Sequence, residues 1–174
     1  MDMDKLDARA LRELAGLVES VGVEDLGRWT PCAGWRVRDL LAHMNSEHEA
    51  ISAPLSGSEV SLDGDPRRSF GRVVDRWIEA FRGRPADEQV AVPKFGATSP
   101  AGRILGVHFA DMLVHRWDLT RALGLDHGLP EDLGSISTSS PSRNPTRSTG
   151  PTRSTATLNF TGAATESAPG RVLE

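Results

Sequence analysis

The sequence predicts an all-α fold: a four-helix bundle followed by a disordered C-terminal tail. Three observations lead there. Four segments of helical length carry apolar residues at a 3.6-residue period. The connections between them are punctuated by proline and glycine. Beyond Gly134 the apolar pattern stops and Ser, Thr, Pro and Gly take over.

The first helix is read over residues 4–20, where Leu6, Ala10, Leu11, Leu14, Leu17 and Val18 share a face. The run Trp29-Thr30-Pro31-Cys32-Ala33-Gly34 is a turn with aromatic anchors. A second helix runs from Trp35 to Ser52, with Val37, Leu40, Leu41, Met44, His48 and Ile51 near one face. A Gly/Ser/Pro loop covers 53–65, and Asp65-Pro66 then reads as an N-cap followed by proline in the first turn. The third helix ends near Phe81 and buries Phe70, Val73, Val74, Trp77, Ile78 and Phe81. Residues 83–98 form a long connection with a short extended piece at Val90-Ala91-Val92. Ser99-Pro100 reads as a second N-cap pair, opening a fourth helix from Pro100 to Leu123 that Gly124 stops. Leu129-Pro130-Glu131-Asp132-Leu133 looks like the start of a fifth helix.

The chain thus divides into a bundle, 1–134, and a low-complexity segment, 135–174, that repeats Pro-Thr-Arg-Ser-Thr at 145–149 and 151–155. Apolar residues there are too few to offset the entropy of ordering it. It is either a natural tail or the product of a reading-frame shift in a GC-rich gene.

Composition excludes several classes. With 20 Lys and Arg against 24 Asp and Glu, the net charge of −4 gives no basic surface for nucleic acid. One cysteine, Cys32, excludes an intramolecular disulfide and a cysteine-rich zinc site. The first residues lack the pattern of a secretion signal, and no apolar run approaches the roughly 20 residues that span a bilayer. A cytoplasmic protein that binds neither nucleic acid nor membrane is expected.

The chemistry gathers on two histidine-bearing helices. In His108-Phe109-Ala110-Asp111-Met112-Leu113-Val114-His115, Asp111 and His115 lie four residues apart and so share a helix face. A carboxylate and an imidazole so placed can share a divalent ion. His43, from a facing helix, would supply a third ligand and leave a position open, the arrangement of a catalytic rather than a structural site. His108, two turns before His115, and Glu47, one turn after His43, are further candidates for ligand, proton carrier or general base. His48 lies about 140° around the helix from His43 and is a poorer one. Asp39 and Asp118 are placed to accept a ring N–H from His43 and His115, or else to form helix salt bridges. Cys32 reads as a small buried residue, and Trp29, Trp35, Trp77 and Trp117 as packing anchors.

Trp29-Thr30-Pro31-Cys32-Ala33-Gly34-Trp35-Arg36-Val37-Arg38-Asp39-Leu40-Leu41-Ala42-His43 resembles the first signature of the mycothiol-dependent maleylpyruvate isomerase N-terminal domain, a branch of the DinB-like metal-binding bundles. His115-Arg116-Trp117-Asp118-Leu119-Thr120-Arg121-Ala122-Leu123-Gly124 resembles the second. The resemblance covers about residues 5–134 and implies zinc held by His43, Asp111 and His115, with Asp111 standing where the isomerase has a glutamate. It also implies mycothiol as co-substrate. A bound metal would lower a thiol's pKa from about 8.5 to below neutrality, so that thiolate attacks a small electrophile in isomerisation or S-transfer. Metal-assisted hydrolysis is the enzymatic alternative. The other is a non-catalytic metal-binding or sensing bundle, or an inactive truncated relative. The catalytic residues beyond the ligands, the substrate and any homo-oligomer are left open.

Overall fold

The computed structural model describes residues 2–93 and 96–125. The expected fifth-helix start and the tail lie outside the described residues. Four helices carry the fold: α1 (Met3–Glu19), α2 (Val37–Ser56), α3 (Pro66–Phe81) and α4 (Ala101–Leu123). A single 3₁₀ turn, Glu24–Gly27, follows α1, and a two-stranded antiparallel hairpin, β1 (Gln89–Val92) and β2 (Ala97–Pro100), precedes α4. None of the described helices is long and apolar enough to cross a membrane.

The apolar stripes close on one another as the periodicity predicts. Leu11, Leu14 and Val18 of α1 meet Leu40, Leu41 and Met44 of α2, Phe70, Val74, Trp77 and Phe81 of α3, and Leu105, Met112 and Leu119 of α4 in one core. Burying side chains of this size contributes about 1.5–3 kcal/mol each before the entropy of ordering them. α1 packs along α3 and α4 and α2 along α3, while α2 and α4 touch only briefly. The α2–α4 seam is where His43 and His115 face each other.

Two helix ends differ from expectation. α2 does not stop at Ser52 but continues through Pro54 to Ser56. The Ser52 and Ser56 hydroxyls bond back to the His48 and Ser52 carbonyls, and the stop comes at Gly57, whose φ of 67° only glycine adopts readily. Ser99 is not an N-cap. Residues 97–100 pair with 89–92, with Val92 opposite Ala97 and Gln89 opposite Pro100, and this buries Val90 and Val92. α4 therefore starts without a side-chain cap. Its first N–H groups instead reach back to the chain before β1, Ala101 N–H to the Glu88 carbonyl (2.9 Å) and Gly102 N–H to the Ala86 carbonyl (2.8 Å). The Asp65 cap is as expected: its Oδ1 accepts from Arg67 N–H at 3.1 Å, with Pro66 in the first turn.

Candidate metal centre

The turn before α2 is tied by backbone bonds. Thr30 N–H donates to the Trp35 carbonyl and Trp35 N–H to the Cys32 carbonyl, both at 3.0 Å, with Gly34 at φ 82° closing the loop. Asp39 turns back to accept the Arg36 N–H at 2.9 Å and so caps α2. Trp35 is thereby set edge-on to the His43 ring, 4.8 Å between centroids. On its other side, His43 faces His115 at 5.5 Å between centroids and 84° between planes.

His115 is 8% exposed. Its Nε2 lies 3.4 Å from Asp111 Oδ2 and its Nδ1 3.6 Å from Asp118 Oδ2. Both contacts are in ion-pair range, and neither ring nitrogen has a hydrogen-bond partner. Such orphaned nitrogens in a buried ring are uncommon and call for a reason. Burial opposes the charge on His115, but the flanking Asp111 and Asp118 carboxylates outweigh it and raise the ring's pKa. At Asp111 burial pushes upward, yet His115, His108 and His43 together hold the carboxyl below its usual range. Glu47 Oε1 stands 3.9 Å from His43 Nδ1, at the rim.

The three residues expected to ligate, His43, Asp111 and His115, are thus neighbours across the α2–α4 seam. Among the described residues no three His, Cys, Asp or Glu side chains are gathered closely enough to form a ready-made metal shell. The arrangement is a pair, Asp111 and His115, with a third ring beside it. The donors suit a divalent ion such as zinc: two imidazoles and a carboxylate, one imidazole with unsatisfied nitrogens.

His48 and His108 have gone elsewhere. His48, fully buried, has its Nδ1 2.6 Å from the Met44 carbonyl and its Nε2 3.1 Å from His108 Nε2. His108 Nδ1 lies 2.7 Å from Asp7 Oδ1, and Trp77 Nε1–H donates to Asp7 Oδ2 at 2.8 Å. The Trp77 and His108 rings stack at 3.9 Å. A carbonyl only accepts, so His48 carries its proton on Nδ1. Burial, then the nearby His108, push the His48 pKa down to about 3, so the ring is neutral and its Nε2 must accept. His108 Nε2–H therefore donates to it, and one further proton lies between His108 and Asp7. Every hydrogen bond of this chain is made, and it ties all four helices together.

The aromatic anchors also divide. Trp77 is buried, but Trp29 and Trp117 are 60% and 44% exposed, with Arg36 stacked over Trp29 at 3.9 Å. Two of the four tryptophans are therefore surface residues near the site-bearing segments. Cys32 is only partly buried, and its thiol meets Asp118. Sequence reasoning had no view of that contact, or of Asp7.

A profile of the mycothiol maleylpyruvate isomerase N-terminal domain matches residues 8–120. The chain belongs to that family. It is 31% identical over 141 residues to uncharacterized proteins of Mycobacterium tuberculosis strains CDC 1551 / Oshkosh and ATCC 25618 / H37Rv, covering 75% of this chain and 74% of theirs. The fold also matches the crystal structure of the mycothiol-dependent maleylpyruvate isomerase (TM-score 0.54, 17% identity), covering 68% of this chain and 59% of that one. A DinB-like protein from Bacillus subtilis gives a TM-score of 0.55 at 10% identity, covering 75% of this chain and 96% of that one. The DinB-like bundle expected from the sequence is the observed fold.

Proposed function

We propose that this family member is a divalent-metal-binding, thiol-dependent enzyme, an isomerase or S-transferase acting on a small electrophile, with zinc as the metal and mycothiol as the thiol. His43, Asp111 and His115 would hold the ion. The observation that carries the reading is the buried His115 ring with both nitrogens unsatisfied, facing Asp111 and His43. When bound, the ion supplies an acid strong enough to keep a coordinated thiol ionised near neutral pH.

The chain's own residues do the remainder. Trp35 packs edge-on against His43 on the side away from His115. Asp111, half exposed, marks the side from which solvent and small molecules reach the site. Without the ion, Asp111 and Asp118 favour a proton on His115, which a metal must displace, so binding strengthens as pH rises.

The test is metal content of the purified protein, by elemental analysis, for wild type, His43→Ala and His115→Ala. About one ion per chain is expected in the first and a large loss in each variant. Equal stoichiometric metal in all three would place the site elsewhere. Consumption of mycothiol with maleylpyruvate or another electrophile, followed by mass spectrometry, then separates an enzyme from a metal-binding bundle without activity.

A further inference from the structure

The two signature segments meet at one buried oxygen. Cys32, in the turn before α2, places its thiol sulfur 3.2 Å from Asp118 Oδ2, on α4 and 86 residues away. The same Oδ2 lies 3.6 Å from His115 Nδ1. Asp118 is 3% exposed. A carboxylate so buried requires donors; the Cys32 S–H donates to it, and the His115 ring faces it at ion-pair distance. Burial and the adjacent carboxylate push the Cys32 pKa up to about 11, so the sulfur keeps its proton and donates.

Two tautomers of neutral His115 then compete. With the proton on Nε2, the Nδ1 lone pair would face buried Asp118, where little solvent screens the repulsion. With the proton on Nδ1, the Nε2 lone pair faces Asp111, whose side chain is 52% exposed and free to hydrate or turn. The second arrangement costs less.

We propose that Cys32 and Asp118 are positioning residues: the thiol holds the carboxylate, and the carboxylate holds His115 in its Nδ1–H form, aiming the Nε2 lone pair into the space shared with Asp111 and His43. The use of that lone pair rests on the metal-binding reading above; the tautomer does not. On this view the cysteine of the first signature is a hydrogen-bond donor that fixes an acid, not a nucleophile. A carboxylate behind a ligating imidazole orients the ring and raises its basicity, and its loss typically weakens metal binding about 10–100-fold.

The experiment is side-chain ¹⁵N NMR of the metal-free protein at alkaline pH, with the His115 signals identified by their loss in His115→Ala. Cobalt(II) titration and thermal unfolding are run on the same variants. Wild type should hold His115 as the Nδ1–H tautomer. Asp118→Asn should move the ring toward Nε2–H, as an amide in place of an orienting carboxylate does elsewhere, and weaken cobalt(II) about 10–100-fold. Cys32→Ser, which keeps a donor, should resemble wild type, and Cys32→Ala should give a mixture of tautomers. Cys32→Ala also serves if Asp118→Asn fails to fold. A wild-type ring in the Nε2–H form, or an Nδ1–H ring undisturbed in Asp118→Asn and Cys32→Ala alike, would overturn the proposal. Cobalt(II) binding unchanged in His115→Ala would instead remove the metal reading, and the NMR result would still decide the tautomer.

Discussion

Two histidine clusters lie within a few turns of each other, and they are built on opposite rules. In Asp7–His108–His48 every ring nitrogen has a partner, Trp77 closes the far end, and burial is nearly complete. In His43–Asp111–His115 the rings face each other, the buried ring is unsatisfied, and the carboxylate stands half in solvent. The first cluster has no capacity left for a ligand. The second has capacity and no internal means of using it. Histidine count and helical phase do not distinguish them, since His108 and His115 lie on nearly the same stripe of α4. The difference is made by α1, which brings the Asp7 carboxylate within hydrogen-bond distance of His108, whereas the carboxylates flanking His115 come from its own helix and stand 3.4 and 3.6 Å away.

The largest expected effect breaks the first cluster. Asp7→Ala removes the acceptor of both Trp77 and His108 inside the core, and should cost about 3–5 kcal/mol of stability, measured by urea unfolding. Metal content per folded molecule should stay at the wild-type level. A loss below about 1 kcal/mol would mean that the chain of bonds is not what holds the helices together.

Acid offers a milder way to separate the clusters. The folded-state pKa of His48 is depressed to about 3 from an ordinary 6.5, so the unfolded chain takes up a proton that the native ring refuses. Its contribution is fully present above about 6.5 and is lost as pH falls toward 3. His115, with a raised pKa, works in the opposite sense: the native state binds its proton more tightly, so its contribution is present at low pH and is lost as pH rises through its folded value. Replacing His48 with Asn should therefore flatten the acid limb of a stability–pH curve, whereas His115→Ala should leave that limb at least as steep. Identical slopes for wild type and His48→Asn would refute the assignment of a neutral buried ring.

The smallest effect sharpens the second cluster. Asp111→Glu should retain metal, because a carboxylate one methylene longer can still reach from the exposed side. Asp111→Ala should weaken binding about tenfold or more, followed by competition with a chelator. Wild-type affinity in Asp111→Ala would pass the carboxylate role to Glu47, 3.9 Å from His43.

The bundle was legible because its helices are amphipathic and long: Leu11, Leu14 and Val18, or Phe70, Val74, Trp77 and Phe81, announce their faces by spacing alone. Asp111 and His115 were legible for the same reason, being one turn apart on one helix. Asp7 was not. It sits on the buried stripe of α1 among Ala8, Leu11 and Leu14, and an acid there demands a partner that periodicity within one helix cannot name. Its partners are His108 and Trp77 on two other helices, and the buried His48 reaches it only through His108. Cys32 and Asp118 depend on how a turn folds over the end of a bundle, and no local spacing encodes that. Ser99-Pro100 misled because the same dipeptide suits the end of a strand and the start of a helix.

The hairpin before α4 has a mechanical consequence. Gly102 N–H is fastened to Ala86, and a Cβ on that glycine would sit 3.0 Å from the Ala86 Cβ and 3.1 Å from its carbonyl oxygen. The helix therefore begins at a fixed rotational setting. One residue inserted between Ala101 and His108 would turn everything downstream by about 100° and advance it by about 1.5 Å. Asp111 and His115 would then sweep off the seam together, while the apolar stripe beside them lost its own alignment. The hairpin works like the index pin of a dial. The length of chain from Gly102 to His115 is as strict a requirement as the identity of the histidine, whereas the loop from Gly57 to Gly64, fastened to α2 and α3 through Val60 and Asp63, sets no helix phase at the site.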